Sequence, residues 1–238
     1  MAAVSNPNLA LIFGAESWRG TPMLIFEFLE GGTLEERLAQ GRLGLDETLD
    51  LGIALANGVS SLHGAGILHR DIKPSNIGFT ADRIPKLMDF GLARIASEQP
   101  DGPAVQQTAS ILPSSQDLLG DGTLSAAAMT HFGQLVGTLP YMSPEAMAGK
   151  QPDPSFDLWG LAVVLFESIG GVNPFRRETR QQTVDCVLEA TTPDLREYRA
   201  DCSEPVARFF AHALARQPSR RPSSARELKA GLEALRAH

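Results

Sequence analysis

The run His69-Arg70-Asp71-Ile72-Lys73-Pro74-Ser75-Asn76 constrains this chain more than any other stretch. It crowds an imidazole, a guanidinium, a carboxylate, an ammonium and a carboxamide together, with Pro74 fixing the backbone between them. Charges so dense are costly to bury unpaired, so the segment reads as a loop held against a scaffold. Upstream, Leu45, Leu49, Ile53, Ala56, Val59 and Leu62 recur at helical spacing, with Asp46 and Glu47 in the first turn. The pattern predicts a long amphipathic helix over 45–63, ended by Gly64-Ala65-Gly66. Downstream, short strand-like pieces at 66–68, 77–79 and 85–88 lie around turn residues, and Asp89-Phe90-Gly91 closes the last of them.

The chain around this centre is an ordinary globular one: 238 residues, 43% hydrophobic, 21% charged. The apolar fraction excludes general disorder. A net charge of -7 excludes a nucleic-acid surface as its main business. Cys186 and Cys202 make neither a C-x-x-C pair nor a metal spacing and read as reduced thiols. The longest apolar stretch, 158–166, is too short to span a bilayer, and residues 1–8 lack the features of a signal peptide. The expectation is a cytoplasmic chain with no membrane segment.

Two strands are expected at 9–13 and 23–28, separated by Gly14, Gly20 and Pro22. After Gly31-Gly32, Thr33 and Glu36 form a capping-box signal for a short helix over 34–38. Residues 96–130 are rich in Ser, Gln, Pro, Gly, Asp and Ala without periodicity and read as a mobile loop. A strongly apolar helix over 156–169 follows Pro152-Asp153-Pro154, and the pattern stays helical to the end. The last helix is signalled by Ser224 and Glu227, a second capping box.

Taken together, these stations resemble the protein kinase family. Asp71 to Asn76 and Asp89-Phe90-Gly91 match its catalytic and metal-binding loops. Gly137-Thr-Leu-Pro-Tyr-Met-Ser-Pro-Glu145 is similar to its A-P-E segment, with Ser143 in place of the alanine. Asp157-Leu-Trp-Gly160 is similar to the start of its buried central helix, and Arg221 to the arginine that pairs with Glu145. Asn6-Pro-Asn-Leu9 resembles the turn after its regulatory helix. The implied fold is α+β: a mostly helical large lobe over 31–238, and two strands and a hinge of the small lobe over 1–30. Arginine outnumbers lysine, with abundant Ala and Gly, which points to a bacterial member, and Lys73, two residues after Asp71, implies by the same resemblance serine/threonine specificity.

The resemblance also implies roles. Asp71 orients and deprotonates the acceptor hydroxyl of a protein substrate, and Lys73 faces the phosphate in transfer. Asn76 and Asp89 supply oxygen ligands to Mg2+. Phe26, Glu27 and Leu29 line the adenine of ATP, and Gly78 stands where the family places a bulky aliphatic under the ring, so contact area is expected to be lost there. His69 and Phe90 join a hydrophobic spine with Ile12 on the strand side. Asp157 holds the catalytic loop from below, and Thr138 contacts it through its hydroxyl. Small-molecule phosphotransferases share the Asp-and-Asn loop but lack the 137–145 segment.

Three family features find no match. The Gly-rich loop, the strand lysine and its helix glutamate would all fall upstream of Asn6. No lysine precedes Lys73, and Arg19, Arg37 and Arg42 do not sit where that lysine would. Gly120-Asp-Gly-Thr-Leu-Ser125 is only a fragment of a Gly-rich pattern, without a preceding strand. Two expectations follow: a reading frame begun late in an ordinary kinase, which leaves this chain inactive alone, or a pseudokinase or kinase-like interaction module. The segment 89–145 is long for its role, and Thr130, near Gly137-Thr138, is the expected activating phosphosite, answered by Arg70.

Overall fold

The computed structural model describes residues 4–18, 21–89 and 137–237. Phe90, Gly91, the 96–130 segment with Thr130, and the Gly120–Ser125 fragment lie outside the described residues.

Strand β1 (Ile12–Trp18) pairs antiparallel with β2 (Thr21–Phe26), Ile12 opposite Phe26, with an irregularity before Gly14. The first strand therefore lies later than the apolar run 9–13 suggests. Leu9 and Ala10 are buried, and Leu9 bridges Leu87 instead. Ala10 N–H donates to the Leu87 carbonyl at 2.9 Å, and Leu87 N–H donates to the Asn8 carbonyl at 2.9 Å. The apolar run splits because its first half is taken into the larger core.

Helix α1 (Leu34–Leu38) has the expected capping box: Glu36 N–H donates to Thr33 Oγ1 at 3.2 Å and Thr33 N–H to Glu36 Oε2 at 2.8 Å. Helix α2 (Leu45–Gly64) buries Leu49, Leu55, Ala56, Val59 and Leu62. Residues 66–68 form no strand. A 3-10 turn at Pro74–Asn76 leads into β3 (Ile77–Phe79), which pairs antiparallel with β4 (Pro85–Leu87).

Beyond residue 137 come a 3-10 turn at Leu139–Tyr141, then α3 (Pro144–Met147), α4 (Pro154–Gly170), α5 (Arg180–Glu189), α6 (Glu204–Ala213) and α7 (Ala225–Arg236). Asp153 caps α4 by accepting from Ser155 N–H at 2.7 Å, with Pro154 in its first turn. Ser224 caps α7, but Glu227 completes no box. Its carboxylate accepts from Ser223 N–H and Oγ, both at 2.7 Å.

Helix α4 is apolar on every face and lies at the centre, with Trp159, Leu161, Val163, Val164, Leu165 and Ile169 fully buried. Helix α2 crosses it at Gly52, where an added Cβ would come within 2.7 Å of Leu165 Cδ1 and 2.8 Å of Leu232 Cδ1. Three helices thus converge where there is no side chain. By contrast, Leu11, Ile12, Phe13, Trp18, Met23 and Ile25 are exposed on or beside the β1–β2 sheet. Ile12 is 41% exposed, so the strand end of the expected spine is uncovered among the described residues.

A buried ion pair closes the large core. Arg221 donates to both Glu145 oxygens, at 2.6 and 3.0 Å, and to the Ala215 and Arg216 carbonyls at 2.6 and 2.9 Å. Ser155 Oγ donates to Glu145 at 3.0 Å. The guanidinium lies 4.5 Å over the Trp159 ring, which stacks on Phe175 at 5.0 Å. Burial pushes the Glu145 carboxyl up, but the hydrogen bonds and charge of Arg221 together outweigh it and hold the pKa below the ordinary value.

Two stability measurements check this packing. Gly52→Val is expected to destabilise the chain by about 1–3 kcal/mol in urea denaturation, because two buried leucines must move. Arg221→Met is expected to cost about 3–5 kcal/mol at neutral pH, because Glu145 is left buried and unpaired. The lowered carboxyl stabilises above the ordinary carboxylate pKa, and that contribution is lost as pH falls toward the folded value. In the variant burial, the largest influence, is opposed only by the hydrogen bonds from Ser155 and the backbone, so the carboxyl is protonated more readily and the stability gap to the wild type narrows as pH drops from 7 to 4.

Candidate active site

The loop from His69 to Asn76 hangs from one carboxylate. Asp157, in the first turn of α4, is 1% exposed. Its Oδ2 accepts from His69 N–H at 2.9 Å and its Oδ1 from Arg70 N–H at 2.7 Å. His63 Nε2 at the end of α2 lies 2.7 Å from Oδ2. Arg70 takes a φ of 70°, and this left-handed residue turns successive N–H groups toward one anion. Asp157 thus carries the role expected of it. His63 was not legible in advance, because a histidine on a helical pattern gives no sign of its partner.

His69 is buried, and desolvation pushes its imidazole pKa down against the opposing charges of Asp157 and Asp71. Its Nδ1 accepts from Asp71 N–H at 3.3 Å. The ring is neutral packing that sets the backbone ahead of Asp71.

Around Asp71 the side chains form one small network. Oδ1 accepts from Thr138 Oγ1 at 3.1 Å, and Oδ2 lies 2.7 Å from Lys73 Nζ. Lys73 Nζ donates to Thr138 Oγ1 at 2.9 Å. Asn76 Nδ2 donates to Asp71 Oδ2 and to the Asp71 carbonyl, both at 2.9 Å. The Asp71 side chain keeps 37% exposure, against 15% for Lys73. The structure therefore brings Asp71, Lys73, Asn76 and Thr138 together at the mouth of the loop, with a carboxylate that solvent or a substrate can reach.

Asp89 is placed by the β3–β4 pair. Ile77 faces Leu87, and Met88 N–H donates to the Asn76 carbonyl at 2.9 Å, which holds the residue before Asp89 beside Asn76. Asp89 is exposed, with a φ of 59°, a strained conformation for a residue other than glycine. Among the described residues no group of three or more His, Cys, Asp and Glu is arranged to hold a metal. Asn76 and Asp89 offer one carboxamide oxygen and one carboxylate, which fits an ion that keeps waters and shares phosphate oxygens. Asn76 commits its amide nitrogen to Asp71, which leaves Oδ1 for a cation.

The expected adenine-binding residues lie on the segment leaving β2. Gly31 N–H donates to the Phe79 carbonyl at 2.8 Å and Phe79 N–H to the Gly32 carbonyl at 3.0 Å, so the segment docks on β3. A Cβ at Gly31 would lie 2.6 Å from the Thr80 carbonyl oxygen, so the approach requires glycine. Phe26, Glu27 and Leu29 are half-buried and Phe28 is 86% exposed. The space over Gly78 is not empty. A Cβ there would come within 2.4 Å of Leu29 Cδ1 and 3.1 Å of Met88 Sδ. Leu29 and Met88 occupy the place where the sequence suggests a loss of apolar contact.

Ser143, where the resemblance leads one to expect alanine, caps α3 by accepting from Ala146 N–H at 3.2 Å. Tyr141 OH donates to Glu167 at 2.7 Å, a tie between this segment and α4 that no sequence pattern announces.

Comparison with known proteins gives this geometry a family. The model for the protein kinase domain matches residues 1–231. The chain is 27% identical over 93% of its length to the probable serine/threonine-protein kinase pknA2 of Bifidobacterium longum. It is 28% identical over 98% of its length to the serine/threonine-protein kinase pkn3 of Myxococcus xanthus, and 28% over 99% to the serine/threonine-protein kinase PknL of Mycobacterium tuberculosis. It spans 26%, 40% and 52% of the lengths of these three relatives. No helix among the described residues is long and apolar enough to cross a membrane. The chain belongs to the protein kinase domain family, and its relatives are bacterial serine/threonine kinases.

Proposed function

We propose that this chain carries the hydroxyl-activating and metal-holding part of a serine/threonine protein kinase, acting on protein Ser or Thr hydroxyls with ATP and Mg2+. The network of Asp71, Lys73, Thr138 and Asn76 carries this reading. Asp71 is an accessible carboxylate whose orientation is fixed by three neighbours, as a group that receives a hydroxyl proton must be. Lys73 offers a compact positive charge beside it, suited to a transferring phosphoryl group. Asn76 and Asp89 would hold the magnesium, which when bound neutralises charge on the phosphates. Phe26, Glu27, Leu29 and Gly78 would receive the adenine, with Leu29 and Met88 as apolar floor.

The chain contains no lysine ahead of Lys73. Without a cation on the α- and β-phosphates, positioning is poor, and positioning supplies most of the catalysis in this reaction class. The isolated chain is therefore proposed to bind Mg·ADP weakly and to transfer phosphate slowly or not at all. A second reading, a kinase-like interaction module, is favoured by the exposed apolar side chains Phe13, Trp18, Met23 and Ile25 on the strands.

Calorimetric titration with ADP, and radiolabel transfer from ATP to a generic protein, test the proposal. Magnesium-dependent binding that falls in Asp89→Asn is expected. Any Ser/Thr labelling is expected to fall by about 100- to 10,000-fold in Asp71→Asn, the usual worth of a general base. Labelling that survives Asp71→Asn, or ADP binding indifferent to Asp89, would overturn it, and no binding at all favours the interaction module.

A further inference from the structure

Glu27 sits on the segment proposed to meet adenine, yet its carboxylate faces away from solvent into a three-way junction. Oε1 lies 2.6 Å from Lys86 Nζ, and both side chains are 13% exposed. Oε2 accepts from Leu11 N–H at 3.0 Å, while Glu27 N–H donates back to the Leu11 carbonyl at 2.9 Å. Lys86 is the middle residue of β4, paired with Gly78, and from the end of that strand at Leu87 the chain runs through Met88 to Asp89. On its other side β4 is bonded to Asn8 and Ala10, three and one residues before Leu11.

Glu27 is thus fixed to one neighbour by backbone and side chain and to the other by charge. An exposed pair of this kind would contribute little. Here both partners are largely withdrawn from water, and both carboxylate oxygens are spent, so removal of the ammonium leaves a half-buried charge facing a single amide. The carboxylate would swing toward water and take the Glu27 backbone, and the contact with Leu11, with it.

We propose that Lys86 is a positioning residue: through Glu27 it fixes the spacing between the adenine-binding segment and Asp89, so that one nucleotide meets both ends of the site. The inference rests on the reading of this site as a nucleotide site. It requires no contact between Lys86 and ligand, because its ammonium is held by Glu27.

A positioning role differs from a merely stabilising one in the ligand it affects. Adenosine touches only the adenine end, whereas Mg·ADP must reach Asp89 as well. The affinity advantage of Mg·ADP over adenosine is measured by titration calorimetry on the wild-type chain, Lys86→Met and Lys86→Arg. Amide exchange at Leu11 is followed by NMR in the same samples. The advantage is expected to shrink by about tenfold in Lys86→Met, the scale of a small misplacement. Leu11 exchange should accelerate in that variant, and Lys86→Arg should restore both. An equal loss for both ligands, or no change for either, overturns the positioning role while nucleotide binding stands. A wild-type chain that binds neither ligand overturns the nucleotide reading and this inference with it. If Lys86→Met fails to fold, Lys86→Gln takes its place. Its neutral amide removes the charge while keeping a polar group beside Glu27, and a smaller Mg·ADP advantage together with faster Leu11 exchange supports the tie. Faster Leu11 exchange with an unmoved ratio sinks it.

Discussion

The Asp157 carboxylate is the interaction on which the rest of the site depends. It is buried, and it is matched by the N–H groups of His69 and Arg70 and by the His63 ring. Charge-assisted hydrogen bonds of this kind are the strong ones, and they offset the left-handed strain at Arg70. Were the carboxylate lost, the His69 and Arg70 amides would lose their anionic acceptor and the strained turn its reason to persist. Asp71 follows directly, so its orientation toward Thr138 and Lys73 is inherited from a residue it does not touch.

The first turns of α4 serve both functional loops. Ser155 reaches Glu145, Asp157 holds 69–70, and Trp159 lies under Arg221. At Gly160 a Cβ would lie 3.1 Å from the Ile72 carbonyl and 3.6 Å from that of Tyr141, so the two loops press against the helix where it is slimmest. Thr138 can meet Asp71 because both loops are referred to one largely buried element. Pre-organisation of the site is therefore a property of the core.

Much of this was legible beforehand, for a physical reason. Helices α1, α2 and α4 announce themselves through caps and apolar spacing, which are local. Asp71, Asn76 and Asp89 could be picked out because the runs 69–76 and 89–91, in that order, resemble the loops of the protein kinase family. What stayed hidden was long-range pairing. Nothing in the sequence links Glu27 to Lys86, or His63 to Asp157, because partners distant in the chain leave no periodic trace. The run 9–13 misleads because burial against β4 competed with pairing in the first sheet and won at Leu9 and Ala10. Gly78 misleads for the opposite reason: absence of a side chain suggests a void, but neighbours fill it, and only the positions of Leu29 and Met88 reveal this.

The small sheet has a different standing from the helical core. A two-stranded sheet is marginal alone, and the apolar side chains of this one are largely exposed. It is attached by the buried pair Leu9 and Ala10 at one end of β1, by the Gly31–Phe79 contacts beyond β2, and between them by the junction of Leu11, Glu27 and Lys86. The first two are backbone ties that would tolerate rotation of the sheet about them. The third is the tie with charge, and it acts at the residue where β2 ends and the proposed adenine-binding segment begins. Among the described residues, orientation of the sheet against the helical core is therefore concentrated in one ammonium–carboxylate contact, which makes the hinge the place where a weakly packed element can be held to a rigid one.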